Sequence, residues 1–220
     1  MVLAMTDFSV EREEMVERQL KRRGIVDDAI LDAFRTVPRE AFIGRNNAHL
    51  AYGDHPLPIE AGQTISQPYI VALMIQAAGI KPGDTVLEVG AGSGYAAAVI
   101  SRIAARVIGI ERQHDLVDVA RERLDRLGYD NIEIVEGDGT KGWAAGAPYD
   151  AILAAASGSH VPQPLVDQLG AGGCIVMPLG DPGWVQELVK VTKSGDGTLV
   201  RQNLGGVRFV PLIGEEGWKE

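Results

Sequence analysis

A doubly wound α/β fold, with a mostly parallel sheet covered by helices on both faces, is the class this sequence predicts. Three observations predict it. Short apolar runs alternate with helical patterns at the spacing of βαβ units: TVLEVG (85–90), RVIGIE (106–111), IEIVEGD (132–138), YDAILAAA (149–156) and GCIVMPLG (173–180). The first two runs are almost continuously apolar, as strands buried on both faces are. A glycine-rich stretch, EVGAGSGYAAA (88–98), joins the first run to the next helix, where a sheet of this kind binds its ligand.

From the start of the chain, residues 9–23 (SVEREEMVERQLKRR) read as a helix. Ser9 is placed to cap it, Glu11, Glu13 and Glu14 suit its positive end, and Gly24 suits its stop. DDAILDAFRTV (27–37) sets Ile30, Leu31 and Phe34 on one face and ends before Pro38. Residues 44–68 show no periodicity, and a loop that long inside a domain usually serves function. Residues 69–79 read as a helix. After KPGD (81–84) come the strands above, with helices at YAAAVISRIAA (95–105), LVDVARERLDRLG (116–128) and PQPLVDQLG (162–170). The tail alternates instead: WVQELVKVTK, a turn at SGDGT, then LVRQNL, an antiparallel hairpin expected on the sheet edge. The expected organisation is a helical N-terminal extension with a substrate or lid segment (1–80) and an α/β core with a C-terminal hairpin (81–220), forming one compact unit.

Composition narrows the function. Hydrophobic residues at 45% and charged residues at 23% are globular values for a chain of 220 residues. A net charge of −9 argues against a general nucleic-acid binder, which needs clustered Lys and Arg. KRR at 21–23 falls where a helix ends and complements its dipole. Cys174 is the only cysteine, so a disulfide within the chain and a Cys-rich metal site are both excluded; its apolar surroundings mark it as a core thiol. His49, His55, His114 and His160 lack metal-ligand spacing, and no metal is expected. No segment approaches the ~18 apolar residues of a membrane span. MVLAMTDF lacks the pattern of a signal peptide, so a cytoplasmic protein, a monomer without membrane partners, is expected.

The glycine loop selects among ligands. Gly90, Gly92 and Gly94 let the backbone turn sharply and approach a ligand. A dinucleotide fingerprint requires a small third residue, where this chain has Tyr95, and no lysine followed by Ser or Thr marks a P-loop. A ligand without pyrophosphate follows. Glu111 ends the second strand, 23 residues after Glu88, in position to accept from both ribose hydroxyls; Asp138 ends the third, placed to accept from an adenine amino group. A glycine turn serving fold geometry alone is the bland alternative. The combination resembles the class I S-adenosylmethionine methyltransferases.

The resemblance narrows further. MVERQLKRRGIVDDAILDAFRTVPREAF, AYGDHPLPIEAGQTISQP, VLEVGAGSGYAAAV, EGDGTKGW, PYDAILAAA with VPQPLVDQLGAGG, and VRFVPL resemble the protein-L-isoaspartate O-methyltransferase family in register, from about residue 15 to residue 212. GQTISQP is its most specific stretch. The resemblance implies methylation of the free α-carboxylate of isoaspartyl residues and repair through a succinimide. It assigns the catalytic role to Ser66, with Thr64 beside it. It implies cofactor contacts at Gln63, Ile65, Glu88, Gly90, Gly92, Gly94, Glu111, Asp138 and Gly139, and substrate contacts at Asp54, Val207 and Arg208.

A carboxylate acceptor with a pKa near 4 is already ionised at neutral pH, so no general base is required. Donors that orient one oxygen without protonating the other suffice, and Thr64 and Ser66 meet that need in a segment expected to fold over the cofactor as a lid. Alternatively Ser66 caps the helix beginning near Pro68, Asp54 forms an Asx turn, and Arg208 braces the tail. Ala96, Ala155 and the pair Ser159-His160 depart from the family pattern beside the ligand loops. Rival functions are a carboxyl methyltransferase with a dedicated peptide target and a cofactor-binding scaffold without catalysis. A nicotinamide dehydrogenase is disfavoured by Tyr95.

Overall fold

The structure, a computed structural model, describes residues 7–219. The opening residues 1–6, which bear on the signal-peptide reading, lie outside them. Helix α1 (Ser9–Met15) runs on through a π turn (Val16–Leu20) and a 3-10 turn (Lys21–Arg23) to Gly24, whose φ of 93° stops it. The expected Ser9 cap is not formed: Ser9 is the first helical residue and Phe8 holds the cap position, while the Ser9 amide donates to Asp7 Oδ1 at 2.9 Å. Asp27 caps α2 (Asp28–Thr36), accepting from the Ala29 amide, and Ile30, Leu31 and Phe34 are buried as their spacing requires.

Residues 44–68 are short 3-10 turns around a small antiparallel pair, β1 (Leu57–Pro58) with β2 (Thr64–Ile65). Two-residue strands lie below what alternation can signal, so this stretch read as irregular. Helix α3 (Pro68–Ala78) follows directly and closes at Gly79, φ 68°.

The main sheet holds β3 (Thr85–Val89), β4 (Arg106–Glu111), β5 (Ile132–Glu136), β6 (Tyr149–Ala154), β7 (Leu169–Leu179), β8 (Gln186–Lys193) and β9 (Leu199–Val207). Their spatial order is β5-β4-β3-β6-β7-β8-β9, with the first five parallel and the last two antiparallel. The predicted edge hairpin is β8–β9. Helices α4 (Tyr95–Ser101), α5 (His114–Arg126) and α6 (Gln163–Asp167) supply the crossovers. Successive residues of β3 point to opposite faces: Val86 joins the core layer containing Leu20, Phe34 and Ile75, while Leu87 joins the layer with Ile152, Leu165 and Ile175. The N-terminal helices thus share a core with the sheet; losing a side chain such as the buried Phe34 to alanine should cost about 3–5 kcal/mol. Cys174 is buried, donates weakly to the Ala78 carbonyl at 3.4 Å, and has its pKa raised by that burial, which keeps it a thiol. Strand order reverses on either side of β3, so a crevice opens at the carboxyl ends of β3, β4 and β6.

Candidate active site

That crevice is a cavity of about 260 Å³. Its floor is the turn after β3. Gly90 and Gly92 lie at φ 85° and 53°, conformations that side chains disfavour, and the Gly90 amide is held by the Ile110 carbonyl at 2.8 Å. A Cβ on Gly92 would meet the end of the Ile59 side chain at 3.4 Å, close to an ordinary contact, so the backbone conformation rather than space is what asks for glycine here. Gly94, φ 86°, begins α4 behind the wall.

Two carboxylates face the cavity. Glu111, at the end of β4, accepts from three backbone amides, Gly92 at 3.0 Å, Arg112 at 2.8 Å and Gln113 at 2.9 Å. It therefore ties the glycine loop to the neighbouring strand. Glu88 is buried, and its Oε2 has no hydrogen-bond partner. Burial, with Glu111 nearby as a like charge, pushes its pKa up to about 8.

The lid is the β2–α3 junction. Gln63, Thr64, Ile65 and Ser66 all border the cavity opposite the glycine floor. Ser66 is not the cap of α3: Gln67 takes that position without a side-chain cap bond, and Pro68, lacking an N–H, leaves one orphan donor fewer. The Ser66 carbonyl instead accepts from Arg39 Nη2 at 2.9 Å, and Gln67 Nε2 donates to the Asp54 carbonyl at 3.0 Å. The third wall combines Ala155 and Ala156 after β6 with Phe209, Val210, Pro211, Leu212 and Ile213 after β9.

Nine of the residues expected at the site border this cavity: Gln63, Thr64, Ile65, Ser66, Glu88, Gly90, Gly92, Glu111 and Gly139. Others stand apart. Asp138 turns its carboxylate to Thr140 and to the tail amide of Glu215 at 2.8 Å, so an adenine amino group would have to share it. Asp54 pairs with Arg23 at 2.6 Å, and Val207 is bound into the β8–β9 ladder opposite Gln186. Val207 and Arg208 lie just outside the wall that Phe209 begins. Of the departures, Ala96 and Ala155 line the cavity, while Ser159 and His160 bond to each other at 3.0 Å. VRFVPL marked residues 207–212 through the family resemblance, but contacts were expected at Val207 and Arg208; the fold-back after the last strand instead brings Phe209 to Ile213 to the cavity.

The sequence profile of the protein-L-isoaspartate(D-aspartate) O-methyltransferase family matches residues 10–217. The chain belongs to this family. It is 54% identical over 207 residues to protein-L-isoaspartate O-methyltransferase 2 of Pelobacter propionicus, covering 94% of this chain and 92% of that one. To the Methanoculleus marisnigri protein-L-isoaspartate O-methyltransferase it is 53% identical, covering 95% and 94%. A solved protein-L-isoaspartate O-methyltransferase superposes with a TM-score of 0.85 at 32% identity, covering 93% of this chain and 66% of that one. A Plasmodium falciparum chain assigned to the same activity, in complex with S-adenosyl-L-homocysteine, superposes at 0.78 with 31% identity, covering 92% and 98%.

The cavity fits the cofactor of a protein-L-isoaspartate O-methyltransferase. The unpartnered Glu88 oxygen calls for a donor such as an ammonium, and the two glycines leave a cradle that side chains would fill. S-adenosylmethionine offers an ammonium, ribose hydroxyls and an apolar purine face.

Proposed function

We propose that the protein transfers a methyl group from S-adenosylmethionine to the free α-carboxylate of L-isoaspartyl residues in damaged proteins and peptides. The methyl ester so formed loses methanol as the following backbone nitrogen closes a succinimide, whose hydrolysis returns some normal aspartyl linkage. S-adenosylmethionine supplies an electrophilic methyl group on a sulfonium. The chain's own residues bind and orient. Glu111 has acceptor capacity for ribose hydroxyls, and Glu88 for the ammonium. Thr64 and Ser66 donate to one oxygen of the acceptor carboxylate and leave the other free to attack. No residue needs to remove a proton, because the acceptor is ionised at neutral pH. Opposite charges cancel as the bond forms, so the lid helps by keeping water out and holding the line of attack.

The observation that carries this reading is the hydroxyl-bearing segment 63–66 bordering the cavity opposite the glycine floor, in a chain of this family. Asp54, Val207 and Arg208 remain the expected contacts for the peptide on either side of the isoaspartyl residue, and Asp138 for adenine. We also take the protein to be a cytoplasmic monomer: a lone buried thiol suits a reducing compartment, and among the described residues no helix is long and apolar enough to cross a membrane. The test is methyl-labelled S-adenosylmethionine offered with matched isoaspartyl and aspartyl peptides. Label is expected in the isoaspartyl peptide alone; equal labelling of both, or none, would overturn the assignment.

A further inference from the structure

Arg39 is fully buried, in the turn that follows α2. Its Nε donates to the Ala51 carbonyl at 2.8 Å and its Nη2 to the Ser66 carbonyl at 2.9 Å. Its guanidinium carbon lies 4.8 Å from the centre of the Tyr95 ring, which Phe34 and Phe42 hold edge-on from other sides. Nη1 and the buried Tyr95 hydroxyl interact with each other without forming a well-shaped hydrogen bond, and neither has another hydrogen-bond partner, so what the guanidinium lacks is a counter-charge. Among the described residues, no carboxylate comes within ion-pair distance of this guanidinium. The neighbouring Glu40 is taken by Arg12 at 3.0 Å.

An unpaired buried cation is costly, and proteins rarely keep one without a counter-charge. Burial lowers the Arg39 pKa, yet arginine stays protonated under any ordinary condition. Holding two backbone carbonyls is a task a neutral amide could share. What the amide lacks is the charge, and Tyr95 and Ser66, which touch the guanidinium, both border the cavity. The reaction proposed above brings a carboxylate to that place.

We propose that Arg39 is a positioning residue for methyl transfer: it fixes the backbone of Ser66, and its unpaired charge is completed by the acceptor carboxylate. The cation acts through a poorly screened interior, where a charge a few ångströms behind the wall still favours an anion in front of it. The chain's net charge of −9 would otherwise discourage an anionic acceptor.

This inference rests on the isoaspartyl reading, and one set of assays separates the two. Wild type that labels no isoaspartyl peptide sinks that reading; wild type that does, beside an unchanged Arg39→Met, sinks only this one. In Arg39→Met the KM for an isoaspartyl peptide should rise at least about tenfold, the size of effect expected for a lost charge interaction. Arg39→Lys keeps the charge but not the fork, so KM should stay within about threefold of wild type while kcat falls about tenfold. Affinity for S-adenosylhomocysteine, whose sulfur is uncharged, should change less than about threefold in both variants. Loss of that affinity in step with the rise in KM would mean general disruption and would overturn the proposal.

Should neither variant fold, wild type loaded with S-adenosylhomocysteine still decides. An isoaspartyl peptide should compete at least about tenfold better than its α-carboxamide analogue, and the ratio should survive about 0.5 M salt, because a buried charge is little screened. No preference, or one abolished by salt, refutes a buried counter-charge.

Discussion

Arg123 and Glu60 meet end to end: Nη2 lies 2.6 Å from Oε1 and Nη1 3.2 Å from Oε2. The pair joins α5 to the turn just before the lid strand β2, with Arg123 almost buried. Burial alone would raise the Glu60 pKa, but the hydrogen bond from Arg123, a backbone hydrogen bond and the Arg123 charge together outweigh it and hold the carboxyl below its ordinary value. A depressed folded pKa gives stability that is present above the unfolded glutamate value and is lost as pH falls through the folded one. Glu60 is partly exposed and water screens the pair, so Glu60→Gln should cost only about 0.5–1 kcal/mol near neutral pH. In urea denaturation the deficit should shrink below about pH 4; a deficit that does not change with pH would mean the charge is not what joins the two elements.

Glu88 has the opposite sign. Its pKa in the folded chain is about 8, against an ordinary value of 4.5. Between those values the folded state holds a proton that the unfolded chain has released, so the Glu88 contribution erodes stability as pH rises and levels off above about 8. Glu88→Gln keeps the shape without titrating. Relative to wild type, the variant should be more stable near pH 9 than near pH 5 by thermal denaturation. The same difference at both would show that Glu88 ionises freely in the folded protein.

Glu111→Gln should weaken S-adenosylmethionine binding by about 1–3 kcal/mol, the range for a hydrogen bond to a charged group. Part of that loss arises indirectly, since the Gly92 amide is held by the same carboxylate. Calorimetry showing unchanged affinity would remove Glu111 from the ribose.

The parallel strands, the glycine floor and Glu111 were legible because each depends on a few neighbouring residues: an apolar run, a backbone conformation only glycine favours, a strand end. The edge hairpin β8–β9 was legible from its alternation. Three features were not. Asp138 sits at a strand end as expected, but the tail folds back and Glu215 donates to it, a contact separated by too much chain for any local pattern to show. The alternative Ser66 cap is not formed, because α3 begins at Pro68 itself and Gln67, directly before it, takes the cap position. Arg39 was given no role, because nothing in its neighbouring sequence marks it; only burial against Tyr95 and the Ser66 carbonyl does.

The central claim is that the Ser66 hydroxyl orients a carboxylate that needs no base, and turnover of an isoaspartyl peptide by Ser66→Ala tests it most directly. Since Ser66 caps no helix, the variant should unfold close to the wild-type temperature and bind S-adenosylhomocysteine with little change. Its kcat should fall by roughly ten- to a thousandfold, the loss expected for one positioning donor, by the same factor at every pH from about 6 to 9 because Ser66 exchanges no proton. Near-normal turnover in folded Ser66→Ala would contradict the claim.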